Sequence, residues 1–272
     1  MALTLVEKHA VQISGQGVRP ILFSHGFGCD QNMWRLVAPA FAADFKTVVF
    51  DHVGAGRSDL SAHDRDRYAS LDGYADDVVA LCDALDLKDV VFVGHSVSAM
   101  IGVLAAARRP GLFSHMIMIC PSPRYIDDAD YVGGFGRADI DELLEFLDAN
   151  HLGWSTTMAP VIMGNPDRPE LAEELSNSFC TTDPEIARQF ARVTFLSDSR
   201  GDLAAVATPT LIIDCLEDSI APPVVGRYVQ AAIAGSVLTT LDATGHCPHL
   251  SAPEATIVAM RTYLDIHEPR AG

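Results

Sequence analysis

The chain has 272 residues, of which 49% are hydrophobic, and 36 acidic residues against 19 basic ones give a net charge of −17. A chain of this length suggests one large domain or two small ones, and it can bury a substantial core without disulfides or metals. The acidic excess excludes nucleic acid and anionic membranes as favoured partners, because like charges repel.

Short apolar runs without alternation recur along the chain and predict strands that are covered on both faces. Helical patterns at 71–85 and 98–108 fall between these runs, and another follows them at 253–264. Alternation of strands and helices predicts an α/β fold with a mostly parallel central sheet flanked by helices. The predicted strands are residues 21–24, 47–51, 90–94, 116–120, 210–215 and 237–241.

The strand pattern disappears between residues 121 and 200. Residues 141–149 place leucines on one helical face, Asp167 has N-cap and capping-box spacing to Glu170, and Asp183 followed by proline predicts another helix start. We therefore predict a core formed by residues 1–120 and 201–272, with residues 121–200 inserted as a helical cap.

The sequence Gly-His-Ser-Val-Ser at 94–98 carries the clearest chemical signal. It lies directly after a predicted strand and directly before a predicted helix, which is the setting of the nucleophile elbow Gly-x-Ser-x-Gly. Ser98 replaces the last glycine of that pattern with another small residue. An ordinary turn is the alternative, but the context favours Ser96 as a nucleophile.

A nucleophilic serine needs a base and an acid, which follow it in that fold in the order acid, then histidine. His246 follows Gly245 after the last predicted strand, and we favour it over His249 as the base. Asp218, after strand 210–215, is favoured as the acid over Glu217. The alternative for His246, Cys247 and His249 is a metal site.

Backbone amides complete the predicted site. The run His-Gly-Phe-Gly at 25–28 follows the first predicted strand, where this fold supplies one oxyanion donor, and the residue after the nucleophile supplies the other. The N–H groups of Phe27 and Val97 are therefore the predicted oxyanion hole, and the alternative for the glycines is a tight turn. No cofactor is implied.

Six cysteines form no Cys-x-x-Cys pair, and Cys120 and Cys215 lie in strongly apolar runs. This pattern favours buried reduced thiols in a reducing compartment. The N-terminus lacks the basic start and apolar stretch of a signal peptide, and no apolar run approaches the roughly 20 residues of a membrane helix. We predict a cytoplasmic protein with no membrane partner.

Longer motifs at 25–34, 50–59 and 94–102 resemble the RsbQ-type α/β-hydrolases, and 121–125, 195–200 and 245–249 extend the match. This group contains the bacterial sigma-B regulator RsbQ and is related to the plant strigolactone and karrikin receptors. The resemblance implies the α/β-hydrolase fold, a four-helix cap over a deep apolar pocket, and a triad at Ser96, Asp218 and His246. It also implies a small hydrophobic ligand and a regulatory phosphatase as partner.

Two functions follow from these features. The first is a serine hydrolase that cleaves a small hydrophobic ester, lactone or butenolide, and the second is a ligand sensor in stress signalling with slow or incidental hydrolysis. Both need the same triad and pocket. The predicted pocket residues are aromatic or soft side chains of the cap and of the loop facing the elbow: Phe27, Tyr125, Phe135, Phe146, Trp154, Met158, Phe190 and Phe195.

Overall fold

A computed structural model of the protein describes residues 3–267, so residues 1–2 and 268–272 of the predicted core lie outside the described part. Seven strands of the described chain form one sheet in the order β1-β3-β2-β4-β5-β6-β7. Only β1 is antiparallel to its neighbour, and the other pairs are parallel. The strands are β1 (Gln12–Ser14), β2 (Arg19–Ser24), β3 (Phe45–Val49), β4 (Val90–His95), β5 (Phe113–Ile119), β6 (Thr210–Glu217) and β7 (Val237–Thr244).

Ten α-helices and four short 3-10 helices connect and cover these strands within residues 3–267. The α-helices are α1 (Leu5–Lys8), α2 (Leu71–Ala84), α3 (Val97–Arg108), α4 (Arg137–Ala149), α5 (His151–Met163), α6 (Pro169–Thr181), α7 (Pro184–Phe195), α8 (Pro223–Ala232), α9 (Pro248–Ser251) and α10 (Pro253–His267). The 3-10 helices are Gln31–Trp34, Ala38–Phe41, Leu60–Ala62 and Arg200–Ala205.

Both faces of the sheet are buried along its inner strands, β2 to β6. Successive side chains of a strand point to opposite faces, so Leu22 packs with α2 and α3 on one face while Ile21 and Phe23 pack with α10 on the other. This two-sided burial explains why the strands read as continuous apolar runs. The predicted α/β fold with a mostly parallel sheet is confirmed.

The sequence patterns missed some elements and misplaced one helix start. β1 was missed because its three residues are exposed at the sheet edge and show no pattern of burial. α8 was also missed, although it buries Val225 and Val229 on one face. Asp167 is not an N-cap, because α6 begins at Pro169 and Arg168 is its N-cap without a side-chain bond. A proline at the first helical position sets the helix start by its fixed φ and needs no acceptor for a backbone N–H.

Four helices, α4 to α7, lie between β5 and β6 and form a cluster of their own. Their buried side chains pack with residues of the core, including Cys29 and Ile220 in loops and Leu250 in α9. Gly28, a loop glycine with positive φ, lies in close contact with this cluster, since a Cβ there would be 1.7 Å from the ring of Phe179. The helical segment therefore sits directly on the loops that leave the strands.

The six cysteines are free, and all are buried except the half-buried Cys180. Cys120 and Cys215 lie side by side behind the site described below, with their sulfurs 3.9 Å apart. The hydrogen bond with the Cys215 thiol and then burial raise the pKa of Cys120 well above its usual range, so Cys120 stays protonated. Among residues 3–267 there is no helix with both the length and the apolar character needed to cross a membrane.

Candidate active site

The turn between β4 and α3 holds Ser96 in a strained backbone conformation. Its φ of 56° and ψ of −124° lie in a region that residues with a side chain rarely adopt. Gly94 permits the turn, because a Cβ there would lie 2.6 Å from the backbone oxygen of Ser98. The turn places the serine at the N-terminus of α3, whose dipole stabilises negative charge.

Three side chains from separate loops meet at this turn. Nε2 of His246 lies 2.8 Å from Oγ of Ser96, and its Nδ1 lies 2.7 Å from Oδ2 of Asp218. All three residues are buried. A carboxylate can only accept hydrogen bonds, so Nδ1 carries the ring proton and the Nε2 lone pair faces the serine hydroxyl. The imidazole is therefore oriented to take a proton from Ser96.

Asp218 is fixed by its own backbone neighbours. Its Oδ1 accepts the N–H groups of Ile220 at 2.8 Å and Ala221 at 3.1 Å, which leaves Oδ2 to the imidazole. Glu217, the rival acid, is exposed, and its carboxylate accepts from the Thr244 hydroxyl at 3.3 Å. The structure therefore brings Asp218, and not Glu217, to His246.

His249, the rival base, lies away from the serine against the indole of Trp34, with a ring separation of 4.8 Å. Both of its ring nitrogens are buried without a hydrogen-bond partner in the described chain. Burial lowers the pKa of His249 to about 3, so the ring is neutral. It packs as an aromatic side chain beneath the site.

The alternative prediction was a metal site formed by His246, Cys247 and His249, but the structure groups these side chains differently. Donor atoms of Cys247 and His249 approach those of His95 within 4.8 Å, whereas His246 is turned towards Ser96 and Asp218. In His95, Nε2 donates to the His246 carbonyl at 2.8 Å, whereas Nδ1 is buried without a hydrogen-bond partner in the described chain. The predicted trio of His246, Cys247 and His249 therefore does not converge.

The two predicted oxyanion donors flank the serine. Val97 is the first residue of α3, so its N–H has no acceptor within the helix. The loop that carries Phe27 lies against the elbow, since a Cβ on Gly26 would be 3.3 Å from Cβ of Ser96. Backbone hydrogen bonds of the described chain give the Phe27 N–H no acceptor.

Above the serine lies a narrow cavity between the core and helices α4 to α7. Its wall is almost wholly aromatic, aliphatic or thiol-bearing. Five predicted pocket residues line it, namely Phe27, Tyr125, Trp154, Met158 and Phe195. The prediction missed further lining residues, namely Cys29, His95, Ile162, Leu175, Phe179, Thr194, Ile220 and Cys247. The apolar face of α6, which carries Leu175 and Phe179 at four-residue spacing, was the signal that could have identified two of them.

Three other predicted pocket residues do not line the cavity. Phe146 is on the outer side of α4 and is 37% exposed. Phe190 turns into the core, where its ring stacks on Tyr74 at 4.4 Å. Phe135 lies in the loop before α4 and packs against the edge of the cap cluster. Aromatic character alone did not tell which way each side chain faces.

Besides His246, Tyr125 places a polar group of the wall beside the serine. Its hydroxyl lies 3.2 Å from Oγ of Ser96, and the side chain is buried. Burial raises the pKa of Tyr125, so the phenol remains protonated and can donate. The site thus combines one activated hydroxyl with an apolar chamber and few polar anchors.

Comparison with known proteins agrees with this geometry. The alpha/beta hydrolase family model matches residues 21–259. The chain is 37% identical to the Karrikin insensitive 2 receptor CA of Petunia hybrida, over 95% of this chain and 96% of the relative. It is 38% identical to the Strigolactone esterase RMS3 of Pisum sativum, over 93% and 95% of the two chains.

Among solved structures, a hydrolase from Oleispira antarctica superposes with a TM-score of 0.94 at 43% identity, covering 96% of each chain. The family match spans most of the chain, and the sheet, the elbow and the Ser96–His246–Asp218 contacts fit it. The protein is therefore a hydrolase, and its chain belongs to the alpha/beta hydrolase family.

Proposed function

We propose that the protein is a serine hydrolase that cleaves a small hydrophobic ester, lactone or butenolide through an acyl-enzyme. The observation that carries this proposal is the hydrogen-bonded chain Ser96–His246–Asp218 at the floor of an apolar cavity. A serine hydroxyl becomes a nucleophile when an adjacent base removes its proton, and here the base is itself held by a carboxylate.

In the first step, Oγ of Ser96 attacks the substrate carbonyl while Nε2 of His246 takes its proton. The resulting imidazolium is stabilised by Asp218, whose Oδ2 accepts the Nδ1 proton at 2.7 Å. His246 then gives its proton to the leaving oxygen as the C–O bond breaks. In a lactone that oxygen stays attached to the acyl group, so the ring opens.

Negative charge develops on the carbonyl oxygen during the attack. The N–H groups of Phe27 and Val97 are the donors proposed for it, and one such donor contributes about 3–4 kcal/mol to lowering the barrier. Water then attacks the acyl-enzyme with His246 as base, which releases the acid and restores Ser96.

The cavity wall supports the proposed substrate class. Aromatic rings surround Phe27, with those of Trp154, Phe179 and Phe195 centred 5.7–6.0 Å away. A wall of this kind binds small apolar groups, and its few polar groups fix the reacting carbonyl. One relative is named a strigolactone esterase, which is consistent with an ester or lactone as substrate.

The test is hydrolysis of short-chain p-nitrophenyl esters and a fluorogenic butenolide by wild type and Ser96→Ala. Ser176→Ala, a change of the same kind on α6 outside the cavity lining, is the matched control. We expect turnover to vanish in Ser96→Ala and to persist in the control. Hydrolysis that survives Ser96→Ala would contradict the mechanism.

A second function, ligand sensing with slow hydrolysis, is favoured by the 37% identity to a protein named as a receptor. Under this proposal the same triad turns over once and retains an adduct, and a regulatory phosphatase is the partner that the RsbQ resemblance implies. Mass spectrometry of the protein after one turnover tests it. Rapid multiple turnover without an adduct, together with no phosphatase in a pull-down under stress, would count against sensing.

A further inference from the structure

The C-terminus of α5 contacts two of the loops that build the site. The last carbonyls of a helix lack donors within the helix. Here the Ser219 hydroxyl, next to Asp218, donates to the Val161 carbonyl at 3.0 Å, and the N–H of His246 donates to the Ile162 carbonyl at 2.8 Å. The cap thus holds the backbone of the base directly.

Asn165, just beyond this helix end, joins the cap to the same loop. Its Nδ2 donates to the Met163 carbonyl at 2.6 Å and to the Thr244 carbonyl at 2.8 Å, while its Oδ1 accepts from the Arg168 guanidinium at 2.5 Å. Carbonyls only accept and guanidinium only donates, so this orientation of the amide is the one that satisfies every partner. Thr244 is two residues before His246.

The end of α5 and the loop that carries His246 are packed closely, backbone against backbone. Gly245 has a φ of 93°, and a Cβ there would lie 1.9 Å from the Met163 carbonyl oxygen. Gly164, the left-handed C-cap of α5, lies against Gly245 from the other side, at 3.2 Å from its Cα to a Cβ built on Gly164. A shift of the helix end must therefore move the loop that carries His246.

The same helix forms part of the cavity wall. Trp154, Met158 and Ile162 follow one another at four-residue intervals and all line the cavity. Helix α5 therefore contacts the ligand with one face and holds the base with its C-terminus. Asn165 is outside the cavity lining, so any effect it has on the reaction passes through the loop.

We propose that Asn165 is a positioning residue for the hydrolytic reaction, which fixes His246 by tying the end of α5 to the Thr244–His246 loop. The inference rests on the proposed function, since it assigns Asn165 a role in that reaction. Catalysis depends steeply on the placement of the base, and a misplacement of about 1 Å can reduce the rate about 100-fold.

Asn165→Asp tests this with an isosteric change, because a carboxylate cannot donate to the Met163 and Thr244 carbonyls. Asn177→Asp, at an exposed position of α6, introduces the same charge away from the loop and is the matched control. We expect Asn165→Asp to lower kcat at least about tenfold with KM changed by less than about twofold, and the control to behave as wild type.

The split between kcat and KM separates positioning from a merely structural role. A displaced His246 slows the chemical step, while the cavity wall, which Asn165 does not line, still binds the ester. Loss of folded protein would instead lower the active fraction, which thermal melts of the same samples detect. A folded Asn165→Asp protein with wild-type kcat would overturn the proposal.

If Asn165→Asp does not fold, Asn165→Ser provides the test, because its hydroxyl keeps one of the two donors without adding charge. An intermediate loss of kcat supports positioning, and wild-type kcat refutes it. Ser96→Ala is measured beside these variants. Hydrolysis that persists in Ser96→Ala refutes the proposed function, whereas an inactive Ser96→Ala with a fully active Asn165→Ser refutes only the role of Asn165.

Discussion

Asp218→Asn is expected to abolish most catalysis while leaving the fold intact. Oδ1 accepts two backbone N–H groups, from Ile220 and Ala221, so the amide oxygen of an introduced asparagine must take that position. Its NH₂ group then faces Nδ1 of His246 as a donor. The imidazole has to present a lone pair at Nδ1 and a proton at Nε2, where it can no longer accept the proton of Ser96.

The expected magnitude follows from this inverted tautomer. An Asp-to-Asn change that traps a triad histidine in the wrong tautomer lowers kcat about 10⁴-fold, which corresponds to about 5 kcal/mol in the barrier. KM should change little, because Asp218 does not line the cavity. The melting temperature should also change little, since the side chain keeps its shape and both backbone bonds.

Steady-state hydrolysis of a short-chain p-nitrophenyl ester, with thermal melts of the same samples, measures these quantities. Glu217→Gln is the control, because it makes the same chemical change one residue earlier at an exposed position. We expect its kcat to stay within about twofold of wild type. The reasoning is refuted if Asp218→Asn retains more than about a tenth of wild-type kcat, or if Glu217→Gln loses as much.

Three further changes test the packing around the site. Gly28→Ala forces a residue with positive φ to carry a Cβ 1.7 Å from the Phe179 ring, so thermal melts should show a loss of about 1–3 kcal/mol in the free energy of unfolding. A simultaneous Phe179→Ala should relieve part of this loss, and additive effects of the two substitutions would contradict the contact. Ser98→Ala removes the hydroxyl that donates to the His25 carbonyl at 2.5 Å, so urea unfolding should show a loss of about 1–3 kcal/mol, and an unchanged midpoint would argue against that bond. Burial raises the pKa of Asp214, so the native state binds a proton at this carboxylate more readily than the unfolded state does. Asp214→Asn should therefore raise the free energy of unfolding at pH 7, by an amount that shrinks as the pH falls through the native pKa of Asp214. A stabilisation that increased on acidification would contradict this sign.

Local sequence determined most of the sheet and the turn that carries Ser96. Parallel strands covered on both faces must be apolar throughout, so β2 to β6 could be identified from short runs alone. β7 lies at the sheet edge and buries only Leu241. The elbow around Ser96 follows from residues adjacent in the chain, since a strand, a tight turn with Gly94 and a helix specify the turn without distant partners. Chain order then restricted the base and the acid to two loops.

Tertiary structure decided which member of each pair lies at the site beside Ser96. Asp218 and Glu217 are adjacent and chemically alike, but only Asp218 turns inward to the Ile220 and Ala221 amides and to His246. That direction depends on how β6 ends against a loop about 30 residues later in the chain.

Local sequence also failed to predict helix α5 of the cap and its contacts. Helix α5 has apolar residues on both its buried and its exposed sides, such as Trp154 and Leu152, and contains Pro160, so its pattern predicted no helix. At its C-terminus, the Ile162 carbonyl accepts the N–H of His246, and Asn165 links the Met163 and Thr244 carbonyls. No local sequence pattern encodes these contacts between residues about 80 positions apart. Propensity and periodicity are properties of neighbouring residues, whereas a site built from distant loops depends on how the packed elements fit together.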